Sequence, residues 1–147
     1  MKESGEDYLE TVLVLQYRNG VVRSVDVASE MNVSKASVSV AMKTLRQSGY
    51  VRMGEKHEIY LTAKGRTLAE TVYERHLLFS EILTRLGVEE KTALRDACHM
   101  EHAMSAESFE ALKEHFIKYE ADLPLPEKGD VYECSDRGRK RGDDGAV

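Results

Sequence analysis

No stretch of this 147-residue chain is apolar for anything near the roughly 20 residues that a bilayer span requires. Its polar start, MKESGED, lacks the charged-then-greasy layout of a secretion leader. Both absences argue against a membrane partner, and the expected location is the cytoplasm. Cysteine is scarce: of the 2 present, Cys98 lies in a helical pattern and Cys134 in a polar stretch near the end. That is no disulfide framework for a reducing cell, so Cys98 is expected as a free thiol, available as a ligand. Positive charge is also in short supply, with a formal net charge of −5, which taken alone argues against a polyanionic partner. No internal repeat is present.

The average charge hides an asymmetry. Between Val33 and Arg66 seven basic residues (Lys35, Lys43, Arg46, Arg52, Lys56, Lys64 and Arg66) face two acidic ones, Glu55 and Glu58, a local balance of +5 that leaves −10 for the rest. A basic block inside an acidic protein is the footprint of an electrostatic docking surface.

Periodicity divides the chain into helices and one hairpin. Residues 6–18 carry Leu9, Val12, Leu13 and Leu15 at helical spacing, with Ser4 and Asp7 placed to form an S-x-x-D cap and Gly20 to end the run. Ser24 is expected to cap a short helix to about Met31, and Asn32-Val33 to make a turn. Ser34 then caps a third helix with Val38, Met42 and Leu45 inward. Two short helices joined by a tight turn after a first helix spell helix-turn-helix. Residues 50–53 and 58–61 read as strands around a charged turn, which adds a wing. Thr62 caps a long helix over 63–86 whose apolar positions, Leu68, Val72, Leu77, Leu78, Ile82 and Leu83, form a stripe wider than a small winged domain needs. Helical patterns over 89–103 and 106–119 follow, with Ser105 as the cap between them. The expected division is a DNA-binding unit over 1–63, a helical unit over 64–122 and a flexible tail over 123–147.

In a helix-turn-helix the first turn of the second helix enters the major groove, which calls for small side chains able to bond bases or phosphates. Ser34, Lys35, Ala36, Ser37 and Ser39 meet that demand, Lys43 sits two turns on, and Lys56 and His57 at the wing tip can reach neighbouring backbone. Bidentate Arg, Asn or Gln residues are missing from the first turn, so specificity is expected to lean on a few hydrogen bonds, methyl contacts and DNA shape. A bland alternative is a small bundle with serines at an exposed helix start.

Residues 98–102, reading C-H-M-E-H, place a thiol, a carboxylate and an imidazole at i, i+3 and i+4, one face if the segment is helical. Asp7 and Glu10 add a pair at i, i+3 on the first helix, and His76 a nitrogen on the long one. Each has an everyday explanation by itself: Asp7 as a capping acid, Glu10 as a solvated charge, Cys98 as a small buried residue and His76 as a hydrogen-bonded core residue. Together, Asp7, Glu10, His76, Cys98, Glu101 and His102 suit a borderline first-row cation, as one octahedral ion or as two ions sharing Glu101. His57, His99 and His115 fit no such pattern.

The winged helix, the long helix with Y-E-R-H and the segment C-H-M-E-H-A-M-S resemble the diphtheria toxin repressor family, which includes the manganese transport regulators. The likeness covers residues 4–120. It implies a mainly α fold: an N-terminal winged helix-turn-helix, then an all-helical dimerisation and metal-binding domain, without the SH3-like domain of longer iron-branch members. It also implies a metal-activated repressor of iron or manganese uptake genes, not an enzyme. The implied partners are a second copy of the chain and a palindromic double-stranded operator, with no small-molecule substrate. The family's ligands fall at Asp7, Glu10, His76, Cys98, Glu101 and His102, and its recognition helix at Ser34 to Ser39. The sequence follows the manganese branch at Asp7 and Glu10 but has Cys98 where those regulators usually carry a glutamate. The iron branch's second site is absent, with Ser80 and Leu94 at its positions. A thiolate draws the preference from Mn(II) toward Fe(II), Co(II) or Zn(II), while extra carboxylates draw it back. Fe(II) meets both demands best, Mn(II) comes second, Zn(II), Co(II) or Cd(II) can bind in vitro, and two ions per subunit are expected.

Two other classes compete. Cys98 with His102 or His76 could make a nucleophile and base, but no oxyanion-forming loop stands near them. A metal-independent winged-helix regulator of the MarR type, sensing a small molecule or Cys98 oxidation, fits the first half of the chain equally well. It leaves the Asp7, Glu10, His76 and Glu101 set without a task.

Overall fold

The computed structural model describes residues 3–119; the expected tail over 123–147, with Cys134, lies outside the described residues. Six helices and one hairpin follow one another: α1 Glu3–Asn19, α2 Ser24–Met31, α3 Lys35–Gln47, β1 Val51–Met53, β2 Ile59–Leu61, α4 Ala63–Arg85, α5 Glu90–Met100 and α6 Ala106–Tyr119. The order is that of a winged helix-turn-helix with further helices behind it.

α1 is the axle. The sequence shows an apolar stripe, but in the fold every residue from 9 to 15 is buried, Glu10 and Thr11 included. A helix buried all round must be enclosed on several sides, and α1 packs against α2, α3, β2 and α4. It begins at Glu3, so Ser4 already lies inside the helix and Asp7 is buried at 6 % exposure. The expected Ser4–Asp7 cap is therefore not formed, because Asp7 is drawn inward by tertiary partners.

The elements of the N-terminal head follow local rules. α2 is capped one residue earlier than expected, at Arg23, because Asp26 turns back to accept the Arg23 backbone N–H at 2.9 Å. Asn32 ends α2 in the left-handed region at φ 53°, a conformation its short polar side chain tolerates, and this makes the tight turn into α3. Ser34 caps α3 as expected, its Oγ accepting the Ser37 N–H at 3.0 Å. The hairpin pairs Val51 with Leu61, Arg52 with Tyr60 and Met53 with Ile59. Each strand is one residue shorter than the reading over 50–53 and 58–61, since Glu58 pairs instead with Arg23 in an isolated bridge.

Thr62 locks the wing to α4. Its hydroxyl donates to the Gly49 carbonyl at 2.7 Å and accepts the Gly65 N–H at 3.1 Å. Gly65 is obligatory there, because a Cβ would collide with the Tyr50 carbonyl. α4 then runs through the centre, buried continuously from 76 to 80. Its Ala69, Tyr73 and Leu77 join the large core under α1, while Leu78 and Phe79 join a smaller one with Ala97 and Phe109. Phe79 meets Phe109 edge-on at 5.9 Å, which seats α6. The wide stripe read in the sequence is thus shared between two cores.

Candidate metal centre and nucleic-acid interface

The six residues read as ligands come from three helices and one turn, and they meet. His76 projects from the buried part of α4, fully enclosed, with its ring stacked 6.4 Å from Tyr73. Its Nδ1 lies 3.1 Å from Glu101 Oε2 and 3.7 Å from Cys98 Sγ. Glu101 spans the centre: its other oxygen, Oε1, is 3.1 Å from His102 Nε2. The same Nε2 is 2.6 Å from Asp7 Oδ1. Glu10, His76 and Glu101 each present a ligand atom within 4.8 Å of the others, and so do Glu3, Asp7 and His102. Two neighbouring clusters are joined through Glu101 and His102.

One local expectation is corrected. α5 stops at Met100, so C-H-M-E-H is not a single helical face. Glu101 is the C-cap and still holds helical angles, φ −59° and ψ −23°, but His102 sits in the turn beyond. Ser105 must cap α6, accepting the Ser108 N–H at 3.1 Å, and the chain has to leave α5 early to reach that position. Arg75 pins the corner by donating to the Glu101 carbonyl at 3.2 Å and the Met104 carbonyl at 2.7 Å. This placement swings His102 toward α1.

Glu6 and Glu3 also reach the centre, and the sequence reading passed over both. Glu6 Oε2 is 2.7 Å from His102 Nδ1. The signal was present: Glu3, Glu6, Asp7 and Glu10 stand at i, i+3, i+4 and i+7, one face of α1.

Cys98 is 3 % exposed, with its Sγ 3.7 Å from His76 Nδ1. A thiol at that position would act as a ligand in its thiolate form.

Asp7, Glu10 and Glu101 are carboxylates at 6 %, 0 % and 1 % exposure. Burying several like charges together is costly unless positive charge balances them. Burial alone would lower the pKa of His102, but its hydrogen bonds with Asp7, Glu101 and Glu6 outweigh that effect and push it up to about 11. In the metal-free chain His102 is therefore an imidazolium that balances part of the charge. The donor set of carboxylate oxygens and imidazole nitrogens, closely spaced and buried, fits a divalent transition ion.

The second surface is formed by α3 and the wing. Ser34, Lys35, Ala36, Ser37, Ser39 and Lys43 on α3 and Lys56 on the wing are all exposed, and a cleft of about 460 Å³ opens between the two elements. Ser39, Lys43, Arg46 and His57 help to line it, as does Val40. Val40 is 67 % exposed, a large apolar residue on the polar side of α3. The sequence reading did not single it out, although it stands two positions, about half a helical turn, from the inward Val38.

Comparison with known proteins gives the family of both halves of the chain. Residues 1–59 match the family described as iron dependent repressor, N-terminal DNA binding domain, and residues 62–122 its metal binding and dimerisation domain. The transcriptional regulator MntR of Escherichia coli O6:H1 is 36 % identical over 112 residues, 76 % of this chain and 72 % of that protein. An uncharacterized HTH-type transcriptional regulator of Methanocaldococcus jannaschii is 35 % identical over 121 residues, 81 % of this chain and 97 % of the relative. The solved structure of the manganese regulator SloR superposes with a TM-score of 0.68 at 25 % identity, covering 90 % of this chain. The chain spans only 63 % of that structure's length.

Proposed function

The chain belongs to the iron-dependent repressor family, and on that premise we propose that it is a metal-activated, homodimeric repressor of genes for metal-ion uptake, acting at a palindromic operator. The observation that carries this reading is the position of α1. One face of that helix brings Asp7 and Glu10 to the centre, while its body packs against α2 and α3 of the reading head.

A divalent cation bound there supplies positive charge among Asp7, Glu10 and Glu101. Without it these carboxylates repel one another, and the start of α1 is held mainly through protonated His102. With the repulsion relieved, Asp7 and Glu10 draw α1 onto His76 of α4 and onto Glu101 and His102 beyond α5. The reading head follows α1, so the two recognition helices of a dimer are fixed near one helical turn of DNA apart, about 34 Å. Binding thus selects a DNA-competent arrangement from a looser set.

Asp7, Glu10, His76, Glu101 and His102 are the proposed ligands, joined by Cys98 as its thiolate. The bridging position of Glu101 supports two ions per subunit. Fe(II) suits the mixed donor set best, with Mn(II) next, and Zn(II), Co(II) or Cd(II) can bind in vitro. On DNA, Ser34, Lys35, Ser37 and Lys43 reach phosphates or base edges, Ala36, Ser39 and Val40 lie against the groove floor, and Lys56 holds the flanking backbone. A metal-independent regulator sensing a small molecule or Cys98 oxidation is not favoured, because it gives the converging acids and histidines no task. The test is an anisotropy titration on an uptake-gene promoter with chelator, Mn(II) or Fe(II). Tight binding only with metal is expected, and equal affinity in all three defeats the proposal.

A further inference from the structure

Resting on that reading, the geometry points to a role for Glu6: we propose that it is a positioning residue that accepts the Nδ1–H of His102 and thereby presents Nε2 to the ion site. His102 lies beyond the end of α5, where helix geometry no longer dictates the direction of its ring. The corner's backbone is fixed by Arg75 and by the Ala103 N–H donating to the Met100 carbonyl at 3.1 Å. Neither contact sets the ring's rotation. The two ring nitrogens are not equivalent: the one that takes a metal must be unprotonated, and the other then keeps a proton that needs an acceptor. Glu6 Oε2 stands 2.7 Å from Nδ1, whereas Asp7 Oδ1 and Glu101 Oε1 stand 2.6 and 3.1 Å from Nε2. Glu6 therefore decides which nitrogen faces the two buried acids. Its side chain is 22 % exposed against 4 % for His102, which puts it on the solvent side of the ring and away from the pocket. This is the carboxylate–histidine–metal arrangement, in which the outer acid fixes the tautomer and raises the basicity of the ligand nitrogen.

The experiment uses the full chain with Cd(II) as the probe, comparing wild type, Glu6→Gln, Glu6→Ala and His102→Ala. Binding is read by competition with a chromophoric chelator. Ring protonation is read by NMR of isotope-labelled histidine in the Cd(II)-loaded protein. In wild type, metal–nitrogen coupling is expected at Nε2 together with a slowly exchanging Nδ1–H. Glu6→Ala is expected to weaken Cd(II) about 10–100-fold, the usual loss for an outer partner, and to lose the Nδ1–H signal to exchange. Glu6→Gln, whose amide oxygen accepts the same proton, should stay within a few-fold of wild type and keep that signal. Glu6→Gln as weak as Glu6→Ala would make Glu6 a ligand and overturn the proposal, and so would Glu6→Ala binding as tightly as wild type. Either result leaves metal activation standing, whereas a wild-type chain that binds no Cd(II) defeats both.

Discussion

The reading head and the buried centre use charge in opposite ways. Lys35, Lys43 and Lys56 stand in water along α3 and the wing, where each contributes little to stability and is available to a phosphate. Asp7 and Glu10 on α1 and Glu101 at the end of α5 are packed away from water beside the core. Removing an exposed lysine should therefore weaken DNA binding and leave the fold alone. Removing a buried carboxylate should change the ion, the packing of α1 and, through it, the DNA. The two regions are not independent, because α1 is a wall of both.

The largest effect is expected at the residue that spans the centre. Glu101→Gln should weaken Mn(II) by more than the roughly 100-fold ceiling for an outer partner and abolish metal-dependent operator binding. Its metal-free melting temperature should hold or rise, since one buried negative charge is gone; a metal titration and a thermal melt together check this. Leu13→Ala, in the part of α1 that is fully buried, should cost about 2–5 kcal/mol of stability, seen as a lower denaturant midpoint, and should impair ion and DNA binding together. Changes on the head should be smaller and confined to DNA. Lys43→Ala should lower the salt slope of operator binding by about 1 with metal affinity unchanged, and Val40→Ala should cost roughly 1 kcal/mol by withdrawing methyl groups from the groove.

The smallest effect concerns protons. His102 has its pKa raised to about 11 in the metal-free chain, against an unfolded value near 6.5. Its ion pairs therefore stabilise the fold fully below about pH 6.5 and lose that contribution as pH rises through about 11. At pH 7 a metal ligating Nε2 must displace a proton, so calorimetry in buffers of different ionisation enthalpy should show about one proton released as His102 is engaged. His102→Ala should abolish that release.

Local chemistry was the legible part of the sequence. Ser34, Thr62 and Ser105 cap the helices they were expected to cap, because a cap is a short-range bond between a hydroxyl and an amide two or three residues on. The hairpin and the order of helices follow equally local periodicities. What depends on packing was harder to read. Asp7 reads as a cap because Ser4 precedes it at the right spacing, whereas in the fold it is buried beside His102. The segment 98–102 looked like one helical face, yet the need to start α6 at Ser105 ends α5 at Met100. Glu6 shares a face of α1 with Asp7 and Glu10, but its role rests on the approach of His102, a contact 96 residues away in sequence. Family resemblance pointed to six candidate ligands, which the fold brings near one another, but it carried no information about Glu6 or Val40.

The central claim is that α1 carries ion occupancy from the centre to the reading head. Hydrogen exchange of the α1 amides, measured with and without Mn(II), tests it most directly. Slower exchange is expected in the first turns of α1 around Glu6 to Glu10 and in the helix-turn-helix packed against it. Slowing confined to α4 and α5, with α1 unchanged, would contradict the account.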